Sequence, residues 1–112
     1  MISIDLDTVQ FIIDKAREFQ ALESGTDDSV PSDDPSREEL MATIADLEPD
    51  QQIELVALMW LGRGDFSIDE WKDAVAEATR AYNARTADYL IATPLLADYL
   101  LEGLDQHGYD AD

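Results

Sequence analysis

Apolar residues recur along most of the chain at intervals of three and four, which is the spacing of one face of an α-helix. The pattern predicts helices over about residues 7–22, 36–47, 49–61, 67–82 and 94–108, with a short helical segment at 87–92. An alternation of apolar and polar residues, typical of strands, occurs only at positions 2–4 and is too short to count. We therefore expect an all-α fold.

The segment 49–61 differs from the other predicted helices, because its apolar residues leave almost no polar face. A helix that is apolar all round is buried on most of its sides. We therefore predict a single compact domain of about five helices around this central helix. The rival interpretation is that one side forms an exposed apolar patch for a partner or a second copy of the chain.

Local signals mark several helix ends. Ser36 and Ser67 are each followed three residues later by glutamate, the spacing of a capping box. Thr93 and Pro94 suit an N-cap and the first position of the last helix. Gly62 and Gly64 lie in the segment 62–66 that we expect to end the central helix.

The segment at about 23–35 consists largely of turn-forming and acidic residues and contains one bulky apolar residue, Val30. It can bury too little apolar surface to offset the entropy lost on ordering. We predict a helical domain over residues 1–108, with a mobile acidic loop at about 23–35. Residues 109–112 are predicted to form a frayed tail.

The chain carries 26 acidic and seven basic residues in 112, a formal net charge of −19. This balance argues against direct binding to nucleic acid or to an anionic membrane, because both need clustered lysine and arginine. The acidity fits a well-solvated surface, a salty environment, or a basic partner. The first residues lack the basic start of a signal peptide, so we expect a cytoplasmic protein.

No catalytic constellation can be identified in the sequence. Cysteine is absent, and His107 is the single histidine. Phosphate-binding glycine loops, nucleophile elbows and zinc-protease helices are also missing. We expect a protein that is not an enzyme and that uses no cofactor and no metal.

The most unusual local feature is a turn bracketed by two tryptophans, which we call the Trp60–Trp71 corner. It also contains Arg63, Asp65 and Phe66. In a structural interpretation the tryptophans pack together and Arg63 pairs with a carboxylate such as Asp65. In a functional interpretation these residues anchor a partner, since tryptophan and arginine are enriched at binding hot spots.

Several strings in the second half resemble a short bacterial family known as domain of unknown function number 3775. They are Leu-Val-Ala-Leu-Met-Trp-Leu-Gly-Arg-Gly-Asp-Phe at 55–66, Thr-Ala-Asp-Tyr-Leu at 86–90 and Pro-Leu-Leu-Ala-Asp-Tyr-Leu at 94–100. The resemblance covers about residues 40–108, with a helical lead-in at 5–19. It implies no activity, cofactor or site residue.

The function that the sequence favours is a non-enzymatic protein-interaction or regulatory module. Its partner would be another protein or a second copy, and a homodimer would form through apolar surface on the third or last helix. The alternative is an acidic mimic that binds a basic or nucleic-acid-binding protein. A small-ligand-binding or enzymatic role ranks third.

Overall fold

The computed structural model describes residues 4–24, 35–93 and 95–108, with side chains described at 4–18 and from 38 onwards within these ranges. Every regular element in this part of the chain is helical, and the fold is all-α as predicted. The elements are α1 (Leu6–Ser24), α2 (Pro35–Ala45), α3 (Pro49–Arg63), a short 3₁₀ helix (Ile68–Glu70), α4 (Trp71–Ala81), α5 (Thr86–Ala92) and α6 (Leu96–Gln106).

Helix α3 is the central element. It packs against α4, α5 and α6, while α1 packs against α2 and α6. Its residues Leu55, Ala57, Leu58, Met59 and Leu61 are at most 1% exposed. The apolar run therefore reflects burial by neighbouring helices of the same chain, as its lack of a polar face predicts.

Two glycines bring α3 and α6 into backbone contact. A Cβ atom at Gly62 would clash with the main chain of Tyr99, and one at Gly103 would lie 2.5 Å from the carbonyl oxygen of Leu58. Any larger side chain at either position would push the helices apart. The close approach therefore sets the spacing between α3 and α6.

The ends of α3 are well defined by their caps. The side chain of Gln51 accepts a hydrogen bond from the backbone of Glu48 at 3.2 Å. At the other end Gly64 takes the left-handed conformation with φ 94°, so the helix continues two residues beyond its predicted end. Gly62 lies inside the helix, where the contact with α6 requires it.

Other predicted boundaries had mixed outcomes. The capping box at Ser67 is confirmed, because the backbone N–H of Ser67 donates to Glu70 at 2.9 Å. The predicted N-cap at Thr93 is wrong: its hydroxyl donates to the carbonyl of Tyr89 and so completes the end of α5. Leu95, with φ 62°, is the residue that precedes α6. Helix α2 begins at Pro35, one residue before the predicted cap Ser36.

Part of the predicted acidic loop, residues 25–34, lies outside the described residues, as does the predicted tail at 109–112. None of the helices in the ranges given above combines the length and apolar character needed to cross a bilayer.

Candidate functional site

The Trp60–Trp71 corner joins the end of α3 to the start of α4. Arg63 donates to one carboxylate oxygen of Asp65 through Nε at 2.9 Å and Nη2 at 2.6 Å, which confirms the predicted pairing. This bond raises the pKa of Arg63 against the opposing effect of partial burial. The main partner of the Arg63 guanidinium therefore lies two residues away in the same turn.

The predicted packing of the two tryptophans on each other is wrong, since Trp60 and Trp71 have different ring partners. Trp60 lies against Phe66 with ring centroids 5.9 Å apart. Trp71 meets the ring of His107 edge-on, with centroids 4.4 Å apart. The corner therefore consists of two aromatic contacts, one facing α5 and one facing the end of α6.

Trp60 also forms one wall of a pocket of about 340 Å³, which we call the α3–α5 pocket. The pocket lies between α3, the second half of α4, the 82–85 linker and the start of α5. Its aliphatic wall comes from α3 and α4 and consists of Ile53, Val56, Ala78 and Ala81. A lining of this kind suits an apolar group.

Two tyrosines complete the aromatic part of the pocket. Tyr89 accepts a hydrogen bond at 3.0 Å from Nε1 of Trp60, which ties α5 to α3. The exposed fractions are 36% for Tyr82 and 43% for Tyr89, so both rings line the pocket while facing solvent. The site is therefore an open depression rather than a closed cavity.

The polar part of the pocket is built by the linker between α4 and α5. The side-chain oxygen of Asn83 accepts a hydrogen bond from the backbone N–H of Arg85 at 2.7 Å. The backbone N–H of Asn83 donates to the hydroxyl of the buried residue Thr86 at 3.1 Å. This local arrangement starts α5 and fixes the linker. It presents Arg85 at the pocket, with 83% of the Arg85 side chain exposed.

Of the five corner residues predicted from the sequence, Trp60 alone lines the α3–α5 pocket. The other pocket residues were missed, because they come from four segments between positions 53 and 89 and form no local motif. Within the described ranges, no group of three or more histidine, aspartate or glutamate side chains is placed to hold a metal ion.

The contact between Trp71 and His107 can be tested by spectroscopy. Burial lowers its pKa below the ordinary value, while Glu54 acts in the opposite direction. A proton NMR titration of this single histidine should therefore give a midpoint below about 6.5, returning to that value in urea. The net negative charge of the chain favours the protonated ring, so a depressed midpoint is opposite to the effect of the overall charge.

The sign of the stability effect follows from linkage. The unfolded chain binds the proton more tightly than the folded chain does. The contribution of His107 to stability is complete above about pH 6.5 and is lost as the pH falls from there towards the folded pKa. The Trp71→Leu variant removes the covering ring and should raise the midpoint; a wild-type midpoint at or above the ordinary value would contradict the burial.

Comparison with known proteins gives a family and no activity. The family model described as "Protein of unknown function (DUF3775)" matches residues 37–109, a range that includes the whole corner and every residue of the α3–α5 pocket. Searches of curated proteins and of solved structures gave no match. Since the matched range is well over half of the sequence, the chain belongs to the DUF3775 family.

Proposed function

We propose that the protein is a non-enzymatic interaction module that receives a large apolar side chain of a protein partner in the α3–α5 pocket. The observation that carries the proposal is the lining itself, where Trp60, Tyr82 and Tyr89 surround an open depression next to aliphatic side chains. Aromatic residues that stay partly exposed around a depression are typical of the central part of protein interfaces.

A different protein is a better candidate for the partner than a second copy. Most of the apolar residues of α3 and α6 that favoured a homodimer are covered within one chain. Leu58, Leu100 and Leu104, for example, are fully buried. A self-complementary apolar face on these helices would need such side chains to be exposed. The proposal also excludes direct binding to nucleic acid, since the chain has seven basic residues against 26 acidic ones.

A substitution that fills the pocket tests the proposal without removing a core contact. Ala81 is an exposed residue at the end of α4 that lines the pocket. In Ala81→Phe the added ring should occupy the depression and weaken partner binding at least about tenfold, the loss expected when a central anchor no longer fits. The matched control is Ala76→Phe, which adds the same ring at an exposed position of α4 outside the pocket.

The measurement begins with immobilised wild-type protein and both variants in a lysate of the source cells. Bound proteins are quantified by mass spectrometry, and a protein retained by wild type and Ala76→Phe is purified for isothermal titration calorimetry. A purified partner that loses affinity only for Ala81→Phe supports the proposal. If every retained protein binds Ala81→Phe as tightly as wild type, the pocket is not the docking site and the proposal is wrong.

A further inference from the structure

The charge of the α3–α5 pocket is opposite to that of the chain. Although 26 of the 112 residues are acidic, the described residues that line the pocket include no aspartate or glutamate and one arginine, Arg85. An apolar depression bordered by a positive charge in so acidic a protein forms a local attractive site for an anionic group.

Arg85 is held less closely by its carboxylate partner than Arg63 and Arg80 are by theirs. Its Nε lies 3.7 Å from Asp88, whereas Arg63 and Arg80 contact their carboxylate partners at 2.6 Å. An arginine side chain has five N–H donors in a fork that matches a carboxylate. The Nη groups of Arg85 can therefore take a second carboxylate while Nε stays near Asp88.

The Tyr89 hydroxyl adds a second donor. Its oxygen accepts from Nε1 of Trp60 and also interacts with Arg63, whose pKa it helps to raise after the larger effect of Asp65. A phenolic hydroxyl that already accepts hydrogen bonds can still donate its own proton. Arg85 and Tyr89 both line the pocket, so a bound group meets donors beside its apolar walls.

We propose that the α3–α5 pocket recognises the C-terminal residue of a partner chain, with its apolar side chain between the rings and its free carboxylate at Arg85. This inference rests on the proposed function and specifies the chemistry of the partner residue that enters the pocket. A chain end unites a large apolar side chain and a carboxylate on one residue, which is the combination that the lining complements.

The shape of the pocket favours a residue of a longer chain over a free acid. Small-molecule sites enclose most of the ligand surface in volumes of roughly 300–1,000 Å³. The α3–α5 pocket has a volume of about 340 Å³, close to the lower limit of this range. Its border is exposed to solvent at Tyr82, Tyr89 and Arg85. A single residue fits inside, and the preceding residues can leave across the open side.

The probes are acetylated tetrapeptides of three alanines followed by phenylalanine, leucine or tryptophan, each prepared with a free carboxylate and as the C-terminal amide. Binding is measured by NMR titration of isotopically labelled full-length protein. The acid should bind at least about fivefold more tightly than its amide, and the difference should shrink at about 0.5 M salt, because the ion pair is exposed.

Arginine variants assign the difference to one side chain. Arg85→Gln should abolish the preference for the acid, whereas Arg80→Gln, which makes the same change in net charge outside the pocket, should retain it. Signals of Trp60 and Tyr89 should shift in both the acid and the amide complexes, since the apolar side chain occupies the same walls in each.

The outcomes separate this inference from the proposed function. Equal affinity of acid and amide overturns carboxylate recognition and leaves apolar docking supported. If N-acetylphenylalanine binds as tightly as the tetrapeptide, recognition of a chain end is wrong and the ligand is a small aromatic acid. If no peptide binds while a purified partner still loses affinity only for Ala81→Phe, the C-terminal anchor is wrong and the proposed function stands. If neither is observed, both are wrong.

Discussion

Replacement of Gly62 by alanine is expected to destabilise the protein by about 3 kcal/mol or more, the upper range for overpacking. The added Cβ would clash with the carbonyl oxygen of Tyr99 and would lie 2.6 Å from its carbonyl carbon and 2.9 Å from its Cα. These are backbone atoms of α6, so no side-chain rotation can relieve the clash. The helices α3 and α6 must separate instead.

The expected change in the free energy of unfolding is opposite in sign to the change that helix propensity alone predicts for glycine to alanine. In an unobstructed helix interior, glycine to alanine gains up to about 1 kcal/mol. Urea unfolding followed by circular dichroism gives the free energy of unfolding of the variant relative to wild type. The control is Gly64→Asn: a Cβ there meets nothing within 4 Å, and asparagine tolerates the left-handed conformation. A Gly62→Ala protein as stable as wild type would show that α3 and α6 are not in backbone contact.

The sequence predicted the general fold because the relevant signals are local. The apolar run of α3, the capping box at Ser67 and the break between α4 and α5 each depend on neighbouring residues. Patterns of this kind identify elements without knowledge of what packs on them. These local patterns predicted the central helix and the order of the helices along the chain.

The errors lie where packing between distant segments decides the local structure. Sequence alone gives both Gly62 and Gly64 as candidates to end α3, and the contact of Gly62 with Tyr99 assigns them different roles. Thr93 has the character of an N-cap, yet its hydroxyl completes α5, and Leu95 adopts the left-handed conformation before α6. The role of Gly62 thus depends on a contact with a helix that lies far away in the sequence.

The candidate site shows the same division. The pairing of Arg63 with Asp65 spans two residues and could be predicted. The α3–α5 pocket could not, because Tyr89 reaches Trp60 across 29 positions and the pocket has no sequence signature. The linker does have a sequence signal, because Asn83 and Thr86 are three residues apart. This is the separation of the two residues that exchange hydrogen bonds in a capping box at the start of a helix. From that signal one could have predicted that Arg85 lies in an ordered turn before α5.

Replacement of Leu58 by alanine is expected to cost about 4 kcal/mol, in the upper part of the range for buried leucine to alanine changes. Leu58 is fully buried in the centre of α3. The cost depends on how far the neighbouring helices can collapse into the space left by the side chain. Here the backbone contact between Gly62 and Tyr99 prevents α6 from moving closer, so the cavity should persist.

Urea unfolding of three further variants distinguishes a persistent cavity from a general loss of apolar surface. Leu58→Met conserves volume and should cost less than about 1.5 kcal/mol. Leu6→Ala removes the same atoms at a position that is 39% exposed and should cost much less than the Leu58 change. The double variant Leu58→Ala with Gly103→Ala should gain nothing over Leu58→Ala, because the new methyl group still meets the carbonyl oxygen of Leu58 at 2.5 Å. Rescue by Gly103→Ala would show that α3 and α6 can shift against one another, which contradicts the fixed spacing on which both predictions depend.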